Sequence, residues 1–169
     1  LRRRGVPARA VNAFVEDVGV TTVFSIVDAR KLDAFVRDEL NRCAPRRMAV
    51  LDPVAVEIVD GDAGSTAEMP EDPRDPPGAY AMPLGGHVFI DRADFCPSGA
   101  PETYFRLTPA QPVGLFRAGV LSYLSHEADA DGRVTRIRAR LDRAPDAPRP
   151  RTFITWVPAA APAAEVRLY

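Results

Sequence analysis

The chain has 169 residues, 46% of them hydrophobic and 27% charged, an ordinary balance for one globular domain or two small ones. A formal net charge of -1 gives no global field that would draw nucleic acid. No run approaches the ~18 apolar residues of a membrane span, no signal peptide is visible, and Cys43 and Cys96 match neither a metal nor a disulfide pattern, so a reducing cytoplasmic setting without membrane contact is expected.

Charge is nonetheless segregated along the chain. Residues 1–9 carry Arg2, Arg3, Arg4 and Arg9 with no acid. Pro7 fits the first turn of a helix, in which Ala10, Val11, Phe14, Val15 and Val18 recur at helical spacing before Gly19. Asp28 is placed to cap a second helix, with Leu32, Phe35, Val36 and Leu40 on one face and Pro45 ending it. From Met48 to Val59 apolar residues alternate as in a strand, with Pro53 marking a bulge, bend or edge. Residues 60–86 are rich in Gly, Pro and acid and read as a long surface loop or insertion. Strands are expected at 87–91, 103–107 and 113–126. Asp129-Ala130-Asp131-Gly132 then turns the chain into a strand over 133–141 that carries most of the five arginines of 133–143. A further strand covers 152–157, and the alternating Val166-Arg167-Leu168-Tyr169 reads as the start of another. A chain that opens on Leu1 and stops inside such a pattern is expected to be a fragment. The order, helices first and short strands after, predicts a mainly β fold with an N-terminal helical module leading into antiparallel barrels.

No reaction centre is visible. There is no nucleophile elbow, phosphate loop, zinc-binding helix or dinucleotide turn, so neither catalytic nor metal-ligating residues are assigned. Asp91 and Asp94 could imitate a carboxylate pair, but Asp-Arg-x-Asp at a strand end more often forms a salt-bridged turn, and His126 reads as solvated. Binding is better supplied. Recognition of unpaired RNA needs cations for phosphate and planar groups for bases. Arg46 and Arg47 stand where helix gives way to strand, while Tyr104-Phe105-Arg106 and Phe116-Arg117 interleave aromatic and basic groups. Alternation would put Tyr104 and Arg106 on one face and Phe105 on the other, which leaves open a plain barrel with Phe105 in its core.

Six blocks in order resemble the C-terminal half of glutaminyl-tRNA synthetases. They are Leu1-Arg2-Arg3-Arg4-Gly5; Val36-Arg37-Asp38-Glu39-Leu40-Asn41 with Ala44-Pro45-Arg46 and Met48 to Pro53; Ile90 to Phe95; Arg106-Leu107-Thr108-Pro109; Val113-Gly114-Leu115 with Ala118-Gly119; and Trp156-Val157 with Glu165 to Tyr169. The resemblance implies that 1–47 is the end of a helical subdomain. It implies that 48–169 is an anticodon-binding region of proximal and distal β-barrels, of the ribosomal-protein-L25-like type and incomplete at its C-terminal end. By resemblance Arg46 contacts the middle anticodon base and Arg106 the first. Thr103 and Phe105 stand where relatives often place polar or basic groups, and Phe116 stands where many have arginine, with Arg117 one position later. Thr155 replaces a usual histidine before Trp156.

The function implied is tRNA anticodon binding within a monomeric glutamine–tRNA ligase, a class I aminoacyl-tRNA synthetase. Such a parent enzyme uses ATP and Mg²⁺ with glutamine, none of them bound by this segment. The rivals are the same region of a non-bacterial glutamyl-tRNA synthetase, a non-enzymatic rRNA-binding β-barrel, and a small-ligand barrel. The first usually has Tyr or Phe soon after the junction arginine, where this chain has Arg47-Met48-Ala49-Val50. The last is a poor fit to five arginines in 133–143.

Overall fold

The structure, a computed structural model, describes residues 1–59, 65–72, 75–144, 146–147 and 149–167, with the backbone alone at 75–77. The chain divides into two compact units, with Leu1–Pro45 making up the bulk of the first and Arg46–Val166 the second.

The first unit holds two helices whose limits follow from local chemistry. Helix α1 (Ala8–Val18) starts behind Pro7 and stops at Gly19, whose φ of 78° needs no Cβ and whose N–H donates to the Val15 carbonyl at 3.0 Å. Helix α2 (Ala29–Cys43) is capped as expected: the Asp28 carboxylate accepts the Arg30 N–H at 2.9 Å. It ends at Ala44, held extended as the residue before a proline must be. Phe14 and Phe35 meet edge to face at 6.1 Å, and Lys31 pairs with Asp17. The connector between the helices leaves Val20, Val23, Phe24 and Ile26 on the surface.

The second unit is built from β1 (Pro53–Ile58), β2 (Thr66–Asp72), β3 (Asp75–Pro83), β4 (His87–Asp91), β5 (Val113–Leu115), β6 (Gly119–Ala128), β7 (Val134–Asp142), β8 (Phe153–Ile154) and β9 (Trp156–Pro158). Seven of these strands form one sheet in the order β8-β5-β6-β7-β1-β4-β9, and β2 pairs with β3 in a separate two-stranded sheet. The two outer strands, β8 and β9, are consecutive in the chain with only Thr155 between them. One short segment therefore pairs with β5 at one edge and β4 at the other, and the sheet curls into a nearly closed barrel. Strand alternation fills the interior: Val54, Val56 and Ile58 from β1, Val88 and Ile90 from β4, Ile137 and Ala139 from β7. Trp156 is fully buried, and its indole N–H donates to the Phe116 carbonyl at 2.9 Å, so the closing segment is anchored by both packing and a satisfied polar group.

Several expectations are corrected. The sheet is mixed, because β1 runs parallel to β7 and β5 parallel to β8. Residues 48–50 carry no strand, and β1 begins at Pro53, a first position where no ladder donor is lost. The expected loop at 60–86 contains the β2–β3 hairpin, while 60–64 and 73–74 lie outside the described residues. Ala67, Met69, Met82 and Leu84 from this ribbon are buried in the core, and a two-stranded ribbon is all edge, so Pro70 and Pro83 cost it little. No strand forms at 103–107, where a single bridge joins Phe95 and Leu107. The expected strand 113–126 breaks at Phe116–Ala118, where Arg117 has φ 60° and Gly119 φ 148°, giving a tight β5–β6 hairpin. Residues 165–167 form no strand, and 168–169 lie outside the described residues. The turn at 129–132 forms as expected, with the Asp129 N–H donating to the Arg133 carbonyl at 2.9 Å and Gly132 at φ 78°.

Candidate nucleic-acid interface

Beyond Pro45 the chain runs extended, and the first residue of the barrel unit is tied to the hairpin: the Arg46 N–H donates to the Glu71 carbonyl at 2.9 Å. This places 46–49 along a cavity of about 660 Å³ lined by Arg46, Arg47, Met48, Tyr80, Phe116 and Thr155, among others. Each wall comes from a different element. Tyr80 stands on β3, Phe116 on the β5–β6 turn, and Thr155 on the link between β8 and β9. Phe116 is fixed from behind, since its N–H donates to the Ile154 carbonyl at 3.1 Å and its own carbonyl receives the Trp156 indole. Guanidinium, phenol and phenyl groups around an open space are what a flat, polar-edged ligand needs: stacking surfaces and donors together.

Arg47 makes contacts on several sides. Its guanidinium donates to Glu71 Oε1 at 2.5 Å and to the Arg46 carbonyl at 2.9 Å, and it sits 4.5 Å from the centre of the Tyr80 ring.

A second cluster, in which arginines are paired with carboxylates, is assembled around the turn that follows β4. Asp91 accepts the Ala93 N–H at 3.2 Å, and Arg92 donates to Asp52 at 3.0 Å and to the Val134 carbonyl. Asp94, only 6% exposed, accepts Arg106 at 2.6 Å. Burial pushes the Asp94 carboxyl above the ordinary carboxylate value and nearby Asp91 adds to this, while the Arg106 charge pulls it back. Tyr104 donates its hydroxyl to the Ala93 carbonyl at 3.0 Å, and burial drives that hydroxyl up to about 12. The Asp-Arg-x-Asp stretch is thus a salt-bridged turn.

The expected site residues therefore fall into separate groups. Arg46, Phe116 and Thr155 share the cavity, and Arg106 is docked on Asp94. Thr103 is exposed in a turn, and Phe105 is 42% exposed beneath Arg151 at 5.4 Å, so Leu107 rather than Phe105 occupies the core. Arg117 leaves its left-handed turn with its guanidinium 5.9 Å from the Phe116 ring, and lines a separate groove with Arg143 and Arg149. Of the arginines in 133–143, Arg136, Arg138 and Arg140 project from the outer face of β7, while Arg133 pairs with Asp52. His126 is half-buried rather than solvated, its Nδ1 2.8 Å from the Tyr123 hydroxyl and its ring against Phe95. Among the described residues, no three His, Cys, Asp or Glu side chains are grouped to hold a metal ion. No helix among them is long and apolar enough to cross a membrane.

Tyr80 and Glu71 escaped the sequence reading because they fall within 60–86. The available signal was a period of two, Ala67 with Met69 and Tyr80 with Met82 and Leu84, hidden by the surrounding proline and acid.

Comparison with known proteins identifies the relatives of the chain. Residues 44–142 match the family described as tRNA synthetases class I (E and Q), anti-codon binding domain. The whole chain aligns with a probable glutamine–tRNA ligase of Caenorhabditis elegans at 38% identity and with the glutamine–tRNA ligase of Bos taurus at 39%, covering 22% of each. It aligns with the glutamine–tRNA ligase of Nitrobacter hamburgensis at 36%, again over the whole chain and 32% of that relative. The chain thus spans between about a fifth and a third of these curated relatives. It belongs to the anticodon-binding domain family of the class I synthetases for glutamate and glutamine.

Proposed function

We propose that this chain reads the anticodon loop of the glutamine tRNA for a glutamine–tRNA ligase, an enzyme that attaches glutamine to tRNA with ATP and Mg²⁺ through residues outside this segment. The observation that carries the reading is the cavity beside Arg46, where donors and aromatic rings surround a space open to one unpaired base. In this reading Arg46 contacts the middle base and Arg106 the first. Thr103, Phe105 and Arg117 contribute at the margins, and outward arginines meet phosphates with an affinity that falls as salt rises. Residues 1–47 act as the end of a helical subdomain. Residues 48–169 belong to proximal and distal barrels of the ribosomal-protein-L25-like type, in a cytoplasmic monomer. Glutamine is favoured over glutamate by the names of the relatives and by Arg47-Met48-Ala49-Val50 after the junction arginine.

The test is Arg46→Ala in the full-length protein. A lost base contact costs about 1–3 kcal/mol in tRNA use. Unchanged kcat/KM for tRNA would reject the assignment, and charging with glutamate in place of glutamine would reject the choice of amino acid.

A further inference from the structure

The sequence singles out Arg46 and leaves Arg47 as a neighbour, yet the geometry ties Arg47 to three groups at once. Its guanidinium lies where three groups converge: the Glu71 carboxylate at 2.5 Å, the Arg46 carbonyl at 2.9 Å, and the Tyr80 ring at 4.5 Å. Glu71 closes the loop from the other side, because its backbone carbonyl takes the Arg46 N–H at 2.9 Å. Arg46 is thereby held at both its N–H and its carbonyl, with Glu71 bonded to Arg46 through its main chain and to Arg47 through its side chain.

We propose that Arg47 is a positioning residue for base recognition: it clamps the backbone of Arg46 to the β2–β3 hairpin and holds Tyr80 as one wall of the cavity. The chemistry is specific to arginine. A planar fork can donate to a carboxylate and a carbonyl at once while its face lies over a phenol. Lysine, a single ammonium, keeps the charge and can keep the Glu71 pair, but it has no planar face for Tyr80 and no fork to reach Arg46 in the same geometry. Segment 46–48 has no strand ladder of its own, so without the clamp the Arg46 side chain departs from a less defined base. The β2–β3 ribbon, which among the described residues pairs with no other strand, acquires through this contact a role in specificity.

This inference rests on the reading of Arg46 as the base contact, and the experiment separates the two. Full-length protein carrying Arg46→Ala, Arg47→Gln, Arg47→Lys or both Arg46→Ala and Arg47→Gln is assayed with cognate tRNA and with tRNA substituted at the middle anticodon base. Arg47→Gln is expected to raise KM for cognate tRNA about tenfold with kcat within about twofold, and to narrow the discrimination between the two tRNAs. In the Arg46→Ala background the same change is expected to do less than about twofold, the non-additivity of residues acting as a unit. Arg47→Lys is expected to restore thermal stability but not discrimination.

Equal weakening for both tRNAs with a flatter salt dependence would make Arg47 a plain phosphate contact and overturn the proposal. A lower melting temperature with intact discrimination would make it merely structural and overturn it as well. If Arg46→Ala weakens tRNA use and Arg47→Gln does not, the clamp alone is refuted. If Arg46→Ala has no effect, the functional reading falls and the clamp with it.

Discussion

Two arginines were expected to read bases, and the molecule treats them differently. Arg46 lies beside a cavity with aromatic walls, its main chain tied down by Glu71 and Arg47. Arg106 lies against a nearly buried carboxylate, with its own carbonyl receiving the Gln111 side-chain amide at 3.1 Å. The bonds given to Arg46 are made by its main chain, whereas the bond of Arg106 to Asp94 is made by its guanidinium. A guanidinium docked on Asp94 has its direction set in advance, but it must share its donors with that carboxylate when a base arrives. The sequence context of the two, each beside aromatic or basic neighbours, gives no sign of this difference.

The largest effect should come from removing what one side of the comparison leans on. Trp156→Ala takes away the buried ring and the donor to the Phe116 carbonyl, and should cost about 3–5 kcal/mol of stability. Urea unfolding measures this, and a loss below about 1 kcal/mol would mean that Phe116 is held by something other than the closing segment.

A smaller effect is expected at the other arginine. Asp94→Asn removes a desolvated charge together with its ion pair, and the Arg106 left behind is half-exposed and can be hydrated, so stability should change by about 1 kcal/mol or less. Because native Asp94 titrates above its unfolded value, its stabilising contribution is present at low pH and is lost as pH rises through the native value. The stability of the variant relative to the parent should therefore increase between about pH 3 and pH 7, measured by thermal melts across that range. If Asp94 orients Arg106, the same variant binds tRNA more weakly. Tighter binding would show that the carboxylate withholds Arg106 from RNA.

The smallest effect is alkaline. Native Tyr104 keeps its proton up to about 12. An unfolded tyrosine releases its proton near ~10, so stability should decline as pH rises beyond that value. Tyr104→Phe should lessen the decline at the cost of one hydrogen bond to Ala93. An unchanged alkaline limb would show that Tyr104 makes no contribution to it.

What could be read in advance follows from how local each determinant is. Asp28, Gly19 and the 129–132 turn act within a few residues, and all three do what their chemistry dictates. The β2–β3 ribbon was hidden because Pro70, Pro83 and the acids signal a loop, whereas pairing with a single partner tolerates them. The strand foreseen at 103–107 failed for a tertiary reason: Tyr104 and Arg106 are drawn to the Ala93 carbonyl and Asp94, and only Leu107 turns inward. At the break the local signal was Gly119, a glycine inside an apolar strand pattern, while nothing in the preference of Arg117 announces its left-handed φ of 60°.

The link at Thr155 has a consequence for the order of folding. Pairings such as Ala55 with Arg136 join distant parts of the chain and close slowly. Until 153–158 docks, both β5 and β4 present unpaired backbone to whatever other chain is nearby. A lesion in those six residues would expose two sheet edges at once, so this segment, far from either arginine in sequence, governs whether the nascent barrel stays apart from its neighbours.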